Sequence, residues 1–274
     1  MEPSKAQETV FSIPELFSGI LQHLPLGDLL LSAPLVNHSW HHLIATSNSL
    51  QARLFFHPRP HNSHQKPETN LFLKRNFHPW YHNRPIDYLH PIQMFTSLPW
   101  SLNKAKTDAY LRKDASWRRM LPAQPPARSM EIVKFMYHKD RQVEQRGELR
   151  FEDGLRMGTL YDLAYQTVLE PLSSFWISWH MFPDIDCQDF GWGCLSEGDE
   201  SETEGDSRSE RITFNVSWTE DGDEWSTDRL GSAWRSLGHE NLDLALSKEV
   251  QLPWDPNFEP TYGDMWSSEH ANRA

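Results

Sequence analysis

Prolines divide residues 10–56 into three short leucine-rich segments, and this spacing limits that part of the chain to short helices. The first segment contains Ser12 and, three residues later, Glu15, which together form a capping box. We expect a helix over residues 14–24, ended by the next proline. Its apolar residues recur three or four positions apart, as on one buried helix face: Leu16, Phe17, Ile20, Leu21 and Leu24.

Two further helices are expected in the same stretch. Asp28 can cap a short helix across the run of three leucines that follows it, and Pro34 breaks that run and begins a third helix at Leu35. One side of the third helix is apolar and carries Val36, Trp40, Leu43 and Ile44. The other side carries Asn37, His38, His41 and His42, which we interpret as solvent-facing. Three such helices bury too little surface to be stable alone, so their leucines must pack on the rest of the chain or on a partner.

Over this stretch the chain resembles the F-box family. The resemblance rests on the following residues, in the order and spacing of that domain: Ile13-Pro14-Glu15-Leu16, Ile20-Leu21, Leu24-Pro25, Asp28-Leu29-Leu30, Val36, Trp40 and Leu43-Ile44. F-box proteins dock on a Skp-type adaptor, which joins them to a cullin–RING ubiquitin ligase. By this resemblance the adaptor contacts fall on Pro14, Leu16, Ile20, Leu24, Pro25, Leu29, Leu30 and Val36. Trp40 matches a position that holds the third helix in the module.

The resemblance divides the chain into four parts. Residues 10–56 are interpreted as the F-box, and residues 57–108 as a linker and loop-rich region with several prolines and histidines. Residues 109–260 are expected to form an α+β region that binds a target protein, and residues 261–274 a tail. The run Ser116-Trp117-Arg118-Arg119-Met120-Leu121, followed by Gln124-Pro125-Pro126, is also similar to the region downstream of the F-box in proteins of filamentous fungi. The expected fold class is therefore α+β, with a three-helix module at the N-terminus.

Within residues 109–260, periodicity predicts a helix over 109–121, a strand over 130–137, a turn and helix over 154–168, and strands over 175–181 and 212–218. Strict alternation in the last strand places Ile212, Phe214, Val216 and Trp218 on one buried face. We expect these last two strands to form a hairpin whose connection holds an acidic, disordered loop at 196–210. Short helices are expected over 232–237 and 241–247.

Composition restricts the classes of partner and of chemistry. The net charge of −12 repels phosphate, and the basic residues of 139–156 alternate with acidic ones, so nucleic-acid binding is not expected. The chain shows no secretory leader and no apolar run long enough to span a membrane. Cys187 and Cys194 are too few for a disulfide scaffold, which indicates a cytoplasmic or nuclear protein. No nucleotide-binding or catalytic motif is present, so we expect no catalytic residue, cofactor or metal.

The sequence therefore favours a substrate-recruiting adaptor subunit, with a Skp-type adaptor, a cullin bound through it and a protein target as partners. Two alternatives stay open. The chain could use its F-box outside a ubiquitin ligase, as a binding or scaffold protein. It could also be an enzyme with a metal site among the histidines at 57, 61, 64, 78, 82 and 90, although the nearby prolines disfavour the helices that would align them.

Overall fold

The computed structural model describes residues 13–59, 66–81, 93–137, 141–170, 173–181, 212–219 and 245–251. These residues form an α+β fold, as expected from the sequence. Residues 13–56, here called the N-terminal module, are helical. Its elements are α1 (Pro14–Leu21), a π-helical turn (Asp28–Ser32), a 3-10 turn (Ala33–Leu35), α2 (His38–Thr46) and α3 (Asn48–Arg53).

The helix boundaries in the module differ from those expected. The cap residue of α1 is Ile13, which makes no side-chain cap hydrogen bond, and the helix ends three residues earlier than expected. Ser12, the expected capping residue, lies outside the described residues. Helix α2 begins at His38, three residues later than expected. The reason is that the Asn37 side chain accepts a hydrogen bond of 2.9 Å from the backbone N–H of Trp40 and so supplies the helix cap.

The chain between α1 and α2 winds more loosely than an α-helix. In the π-helical turn the N–H of Ala33 donates to the carbonyl of Asp28, five residues earlier. Pro34 follows, and its missing N–H prevents a regular α-helical continuation. Three consecutive leucines consequently meet three environments: Leu29 is buried, Leu30 is half-buried and Leu31 is exposed.

The described residues between 66 and 124 form a series of short elements: β1 (Glu68–Thr69), α4 (Leu71–Asn76), a 3-10 turn (His78–Tyr81), α5 (Gln93–Thr96), α6 (Lys104–Tyr110), a 3-10 turn (Ser116–Arg119) and β2 (Ala123–Gln124). Strands β1 and β2 pair antiparallel. The prediction of a helix over 109–121 is wrong. Helix α6 ends at Tyr110, where the chain turns back so that the indole N–H of Trp117 donates to the Tyr110 carbonyl at 2.9 Å.

The main sheet has five described strands: β3 (Ser129–Tyr137), β4 (Arg141–Arg150), β5 (Ser173–Trp179), β6 (Ile212–Thr219) and β7 (Ala245–Gln251). Their spatial order is β5-β6-β3-β4-β7. The expected antiparallel pairing of β5 with β6 is confirmed, with Phe175 opposite Val216. Strand β6 also pairs in parallel with β3, with Ile132 opposite Phe214. The sequence did not indicate this second pairing.

The burial of β6 is broader than its alternation suggested. Ile212, Phe214 and Val216 are buried as expected, but Thr213, Asn215 and Ser217 on the opposite face are buried too. The side chain of Trp218 is not among those described.

The helix expected over 241–247 is wrong at its C-terminal end, because Ala245 begins β7, which pairs with β4. The backbone of β7 hydrogen-bonds across the edge of the sheet, and this long-range pairing overrides the local helical pattern. The expectations for 196–210, 232–237 and 261–274, and for both cysteines, concern residues outside the described ranges.

Helix α7 (Met157–Leu169) confirms the expected helix and its apolar face. It buries Leu160, Leu163, Ala164 and Thr167, and Val168 packs at the edge of the core. Gly158 allows α7 to approach the 3-10 turn before β2, since a Cβ atom there would lie 2.8 Å from the carbonyl oxygen of Arg118. The preceding turn uses Gly154 at φ +86°, a conformation that favours glycine.

The expected linker at 57–108 is instead part of the main core over its described residues. Tyr81 stacks on Trp179 with ring centroids 4.5 Å apart, and Trp80 packs edge-on against Phe175 at 5.4 Å. The indole N–H of Trp179 donates to the Trp80 carbonyl at 2.8 Å. These side chains fill the space between the sheet and α7, so this region packs with the sheet rather than acting as a spacer.

Polar contacts join the N-terminal module to the remainder of the fold. The side-chain N–H groups of Gln124 donate to the carbonyls of Ala52 and His57, at 2.8 and 3.1 Å. Arg156 donates to the carbonyl of Phe56 at 2.7 Å. The backbone N–H of Leu121 donates to the carbonyl of Phe55, a residue with φ of +61°. The module is therefore fixed in orientation by bonds to backbone atoms at the end of its last helix.

Candidate partner-binding surface

The N-terminal module has a small core of its own. Phe17 and Leu21 of α1 meet Leu29 of the π-helical turn and Ile44 of α2 inside it. Trp40 closes one side of this core, with its ring edge-on to Phe17 at a centroid distance of 4.8 Å. Because both helices turn their largest buried side chains toward this core, their opposite sides remain available to solvent.

Six large apolar side chains of the module lie outside that core. Ile13, Leu16 and Ile20 are exposed on α1 or at its start, at positions three and four residues apart that share one helix face. Leu31, Leu35 and Val36 are exposed on the turns before α2, and Leu35 reaches 84% exposure. We call these six residues the N-terminal apolar surface. Exposed leucines and isoleucines in such number on a module of this size are typical of a protein interface.

The structure separates the nine site residues predicted from the sequence into three groups. Five are exposed and accessible to a partner: Pro14, Leu16, Ile20, Pro25 and Val36. Three are half-buried against the module core: Leu24, Leu30 and Trp40. Leu29 is 0% exposed, so in this structure it holds the module together and is not accessible as a partner contact. The packing of Trp40 agrees with the structural role that the resemblance implied for it.

Three exposed residues of the N-terminal apolar surface were not among the contacts predicted from the sequence: Ile13, Leu31 and Leu35. Ile13 could have been found from its spacing to Leu16 and Ile20. The exposure of Leu31 and Leu35 depends on the π-helical turn, which no periodic pattern in the sequence predicts.

The N-terminal apolar surface is poor in charge. Residues 13–56 contain three charged side chains, Glu15, Asp28 and Arg53. Arg53 points inward and donates to the carbonyl of Leu24 at 2.9 Å. A partner would thus be held by burial of apolar area, to which each large side chain contributes roughly 1.5–3 kcal/mol when it leaves water completely.

The described histidines do not form a metal site. No group of three or more His, Cys, Asp or Glu residues among the described residues is placed to hold a metal ion. His57 and His78 are exposed, while the histidines at 61, 64, 82 and 90 lie outside the described ranges. His38, His41 and His42 are exposed on α2, as expected. Among the described helices, none is both long and apolar enough to cross a membrane.

Comparison of the chain with models of known protein families, with curated proteins and with solved structures found no match.

Proposed function

We propose that the chain is a substrate-recruiting adaptor subunit of a cullin–RING ubiquitin ligase and that it docks on a Skp-type adaptor through the N-terminal module. The observation that carries this proposal is the N-terminal apolar surface. Its residues Leu16, Ile20 and Val36 stand at positions where the F-box resemblance expects adaptor contacts, and all three are exposed. An uncharged helical face rich in leucine and isoleucine suits a hydrophobic groove on a partner.

The energetics are compatible with stable docking. The six side chains are between 38% and 84% exposed, so burying them removes only part of the area of each from water. Their summed contribution is on the order of 5–10 kcal/mol, which must also offset the loss of translational and rotational freedom. Half-buried Leu24 and Leu30 add contact area at the edge of the surface.

The proposed mechanism is proximity. The module anchors the chain to the ligase, and the rest of the fold holds a target so that its lysines lie near the ubiquitin-charged enzyme. The bonds from Gln124 and Arg156 to the module keep the two parts in one orientation, which raises the effective concentration of the target at the enzyme.

The test is a pull-down of the full chain with a purified Skp-type adaptor. The natural chain is compared with a Leu16→Asp, Ile20→Asp double variant, because both side chains are exposed and their replacement leaves the module core intact. We expect the variant to bind at least about a hundredfold more weakly, as expected when two apolar anchors are replaced by charges.

The matched control is a Leu71→Asp, Leu111→Asp variant, which makes the same change at two exposed leucines outside the module. It should bind like the natural chain. If the folded natural chain does not bind, or if the control loses as much affinity as the module variant, the proposed function is wrong.

A further inference from the structure

A second exposed surface lies on α4 and α6 and differs in charge from the module. Residues 71–76 and 102–114 contain six basic side chains and two acidic ones, although the whole chain has a net charge of −12. We call these two segments the basic helical surface. Its cations are Lys74, Arg75, Lys104, Lys106, Arg112 and Lys113.

The two segments are held together by bonds between their helices. The hydroxyl of Tyr110, in the last turn of α6, donates to the side-chain oxygen of Asn76 at the end of α4, at 2.8 Å. Lys74 and Arg75 occupy the last turn of α4, and Arg112 and Lys113 directly follow α6. These four cations are therefore brought to neighbouring helix ends, while Lys104 and Lys106 lie in the first turn of α6.

Exposed leucines accompany these cations. Leu71, Leu102 and Leu111 are exposed, and Leu102 at 85% is the most exposed of the large apolar side chains described. Helix α6 directs its polar and aromatic anchors inward: the Thr107 hydroxyl donates to the Trp100 carbonyl at 3.1 Å, and Tyr110 stacks on the Trp100 ring. Lys104 and Lys106 of α6 are exposed, and so are Leu102 and Leu111, which flank the helix.

Most of these cations have no acidic partner among the residues that the structure describes. Among the described residues, Lys74, Arg75, Lys104, Lys106 and Lys113 form no ion pair, and Arg112 makes a single long one of 3.4 Å with Asp114. Two arginines of β4 differ, because Arg146 contacts Glu131 and Glu144, and Arg150 contacts Glu148. Within the described part of the chain, these two arginines of the sheet are paired with carboxylates, whereas five of the six cations of the basic helical surface are not.

Helix stability does not explain two of these charges. Lys104 and Lys106 lie in the first turn of α6, which has no acidic residue. The positive end of the helix dipole disfavours cations there by roughly 0.3–1 kcal/mol. Their placement at a small cost in stability, next to the exposed Leu102, favours a role in binding.

We propose that the basic helical surface binds an acidic, leucine-containing segment of a partner protein. The charge of the surface is opposite to that of the rest of the chain, so an acidic partner is repelled elsewhere and steered to this surface. The three exposed leucines supply apolar contacts that a purely ionic ligand does not use. If the proposed adaptor function holds, this partner is the protein presented for ubiquitylation, and that identification alone rests on the proposed function.

Nucleic acid fits the surface less well. The aromatic side chains that could stack on bases, such as Trp100 and Trp117, are buried beneath the helices. The strongly negative chain repels a long phosphate backbone, whereas a short acidic peptide need only contact the local cations.

The test measures peptide binding to the full chain by fluorescence anisotropy. The probe is a labelled peptide of glutamate, leucine and serine, compared with one in which lysine replaces glutamate and one in which serine replaces leucine. We expect saturable binding of the first peptide and at least about tenfold weaker binding of the other two. An Arg75→Glu, Lys106→Glu variant should lose at least about tenfold in affinity for the first peptide.

Two matched controls isolate the surface. An Arg128→Glu, Arg150→Glu variant makes the same change in charge at exposed arginines of the sheet region and should bind the peptide like the natural chain. Leu102→Ser should weaken binding, whereas Leu169→Ser, at an exposed leucine of α7, should not. The Leu16→Asp, Ile20→Asp variant should also bind the peptide normally, so failure of adaptor docking is distinguishable from failure of this surface.

Several results would overturn the proposal. These are no saturable binding of the acidic peptide, equal affinity for the lysine peptide, and equal loss in the two charge-reversal variants. Tighter binding to single-stranded DNA or to phosphatidylserine vesicles would assign the surface to another class of ligand. If binding appears only after deletion of residues 196–210, the acidic segment of the chain itself is the competitor, and the proposed occupant is wrong.

Discussion

The N-terminal apolar surface and the basic helical surface both expose leucines, but they differ in the charge around them. The module carries three charged residues in residues 13–56, whereas six cations accompany the leucines of α4 and α6. The first suits a groove that offers apolar area, and the second suits a partner that offers carboxylates and apolar area together. Exposed leucine alone therefore does not define a kind of partner; the neighbouring charge does.

The largest expected effect separates core from surface within the module. Leu29→Ala should lower the free energy of unfolding by about 2–5 kcal/mol, because the fully buried side chain leaves a cavity. Leu31→Ala, two residues away and exposed, should change it by less than about 0.5 kcal/mol. Urea denaturation followed by far-UV circular dichroism measures both. Equal losses in the free energy of unfolding would mean that the π-helical turn does not bury Leu29 and expose Leu31.

The next effect compares the two surfaces directly by their response to salt. Raising NaCl from about 50 mM to about 500 mM should lower the affinity for the acidic peptide about tenfold, because salt screens the exposed cations of the basic helical surface. Adaptor docking should change by less than about threefold, since residues 13–56 offer few charges. Isothermal titration calorimetry at both salt concentrations gives the two affinities. A similar salt dependence for both partners would remove the distinction between the surfaces.

The smallest effect uses alkaline pH, to which the two regions respond differently. Residues 13–56 contain no tyrosine, whereas burial in the aromatic core beneath α6 raises the pKa of Tyr161 from 10.0 to about 12, partly opposed by Arg118. Burial likewise raises the pKa of Tyr110. The unfolded chain thus loses these protons first, so the free energy of unfolding should fall as pH rises from about 10 to 12.

The measurement is urea denaturation across that pH range, in the natural chain and in a Tyr161→Phe variant. The variant should lose less stability between pH 10 and 12, because one of the tyrosines responsible is gone. An unchanged pH slope in Tyr161→Phe would show that this phenol does not titrate as its burial requires.

Local patterns predicted the elements that depend on their own periodicity. The helix over Met157–Leu169, the strand over Ser129–Tyr137 and the pairing of β5 with β6 follow from apolar spacing and are confirmed. The α+β class follows from the same elements. On the module, helical spacing placed Leu16 and Ile20 on one buried face with Phe17 and Leu21, but only the latter pair is buried. The exposed Leu16 and Ile20 were named as partner contacts by the F-box resemblance alone.

Features that depend on distant residues were not predictable from local patterns. The proline- and histidine-rich stretch after the module looked like a linker, yet Trp80 and Tyr81 pack against a strand almost a hundred residues later. The local pattern predicted a helix over 241–247, but from Ala245 to Gln251 the chain is a strand that pairs with β4. The sorting of Leu29 from Leu31 depends on a π-helical turn, and sequence periodicity assumes regular winding.

The position of β6 between β5 and β3 sets an order of events during synthesis of the chain. On the ribosome, β3 and β5 emerge before β6 and cannot pair with it until Thr219 is free, roughly 160 residues after Phe56. At about 5–20 residues per second, the module is fully translated on the order of ten to thirty seconds earlier. Over about the last 40 residues of that interval, from Trp179 to Thr219, the nascent chain displays unpaired edges of both β3 and β5, and such edges are where a chaperone protects a chain from aggregation.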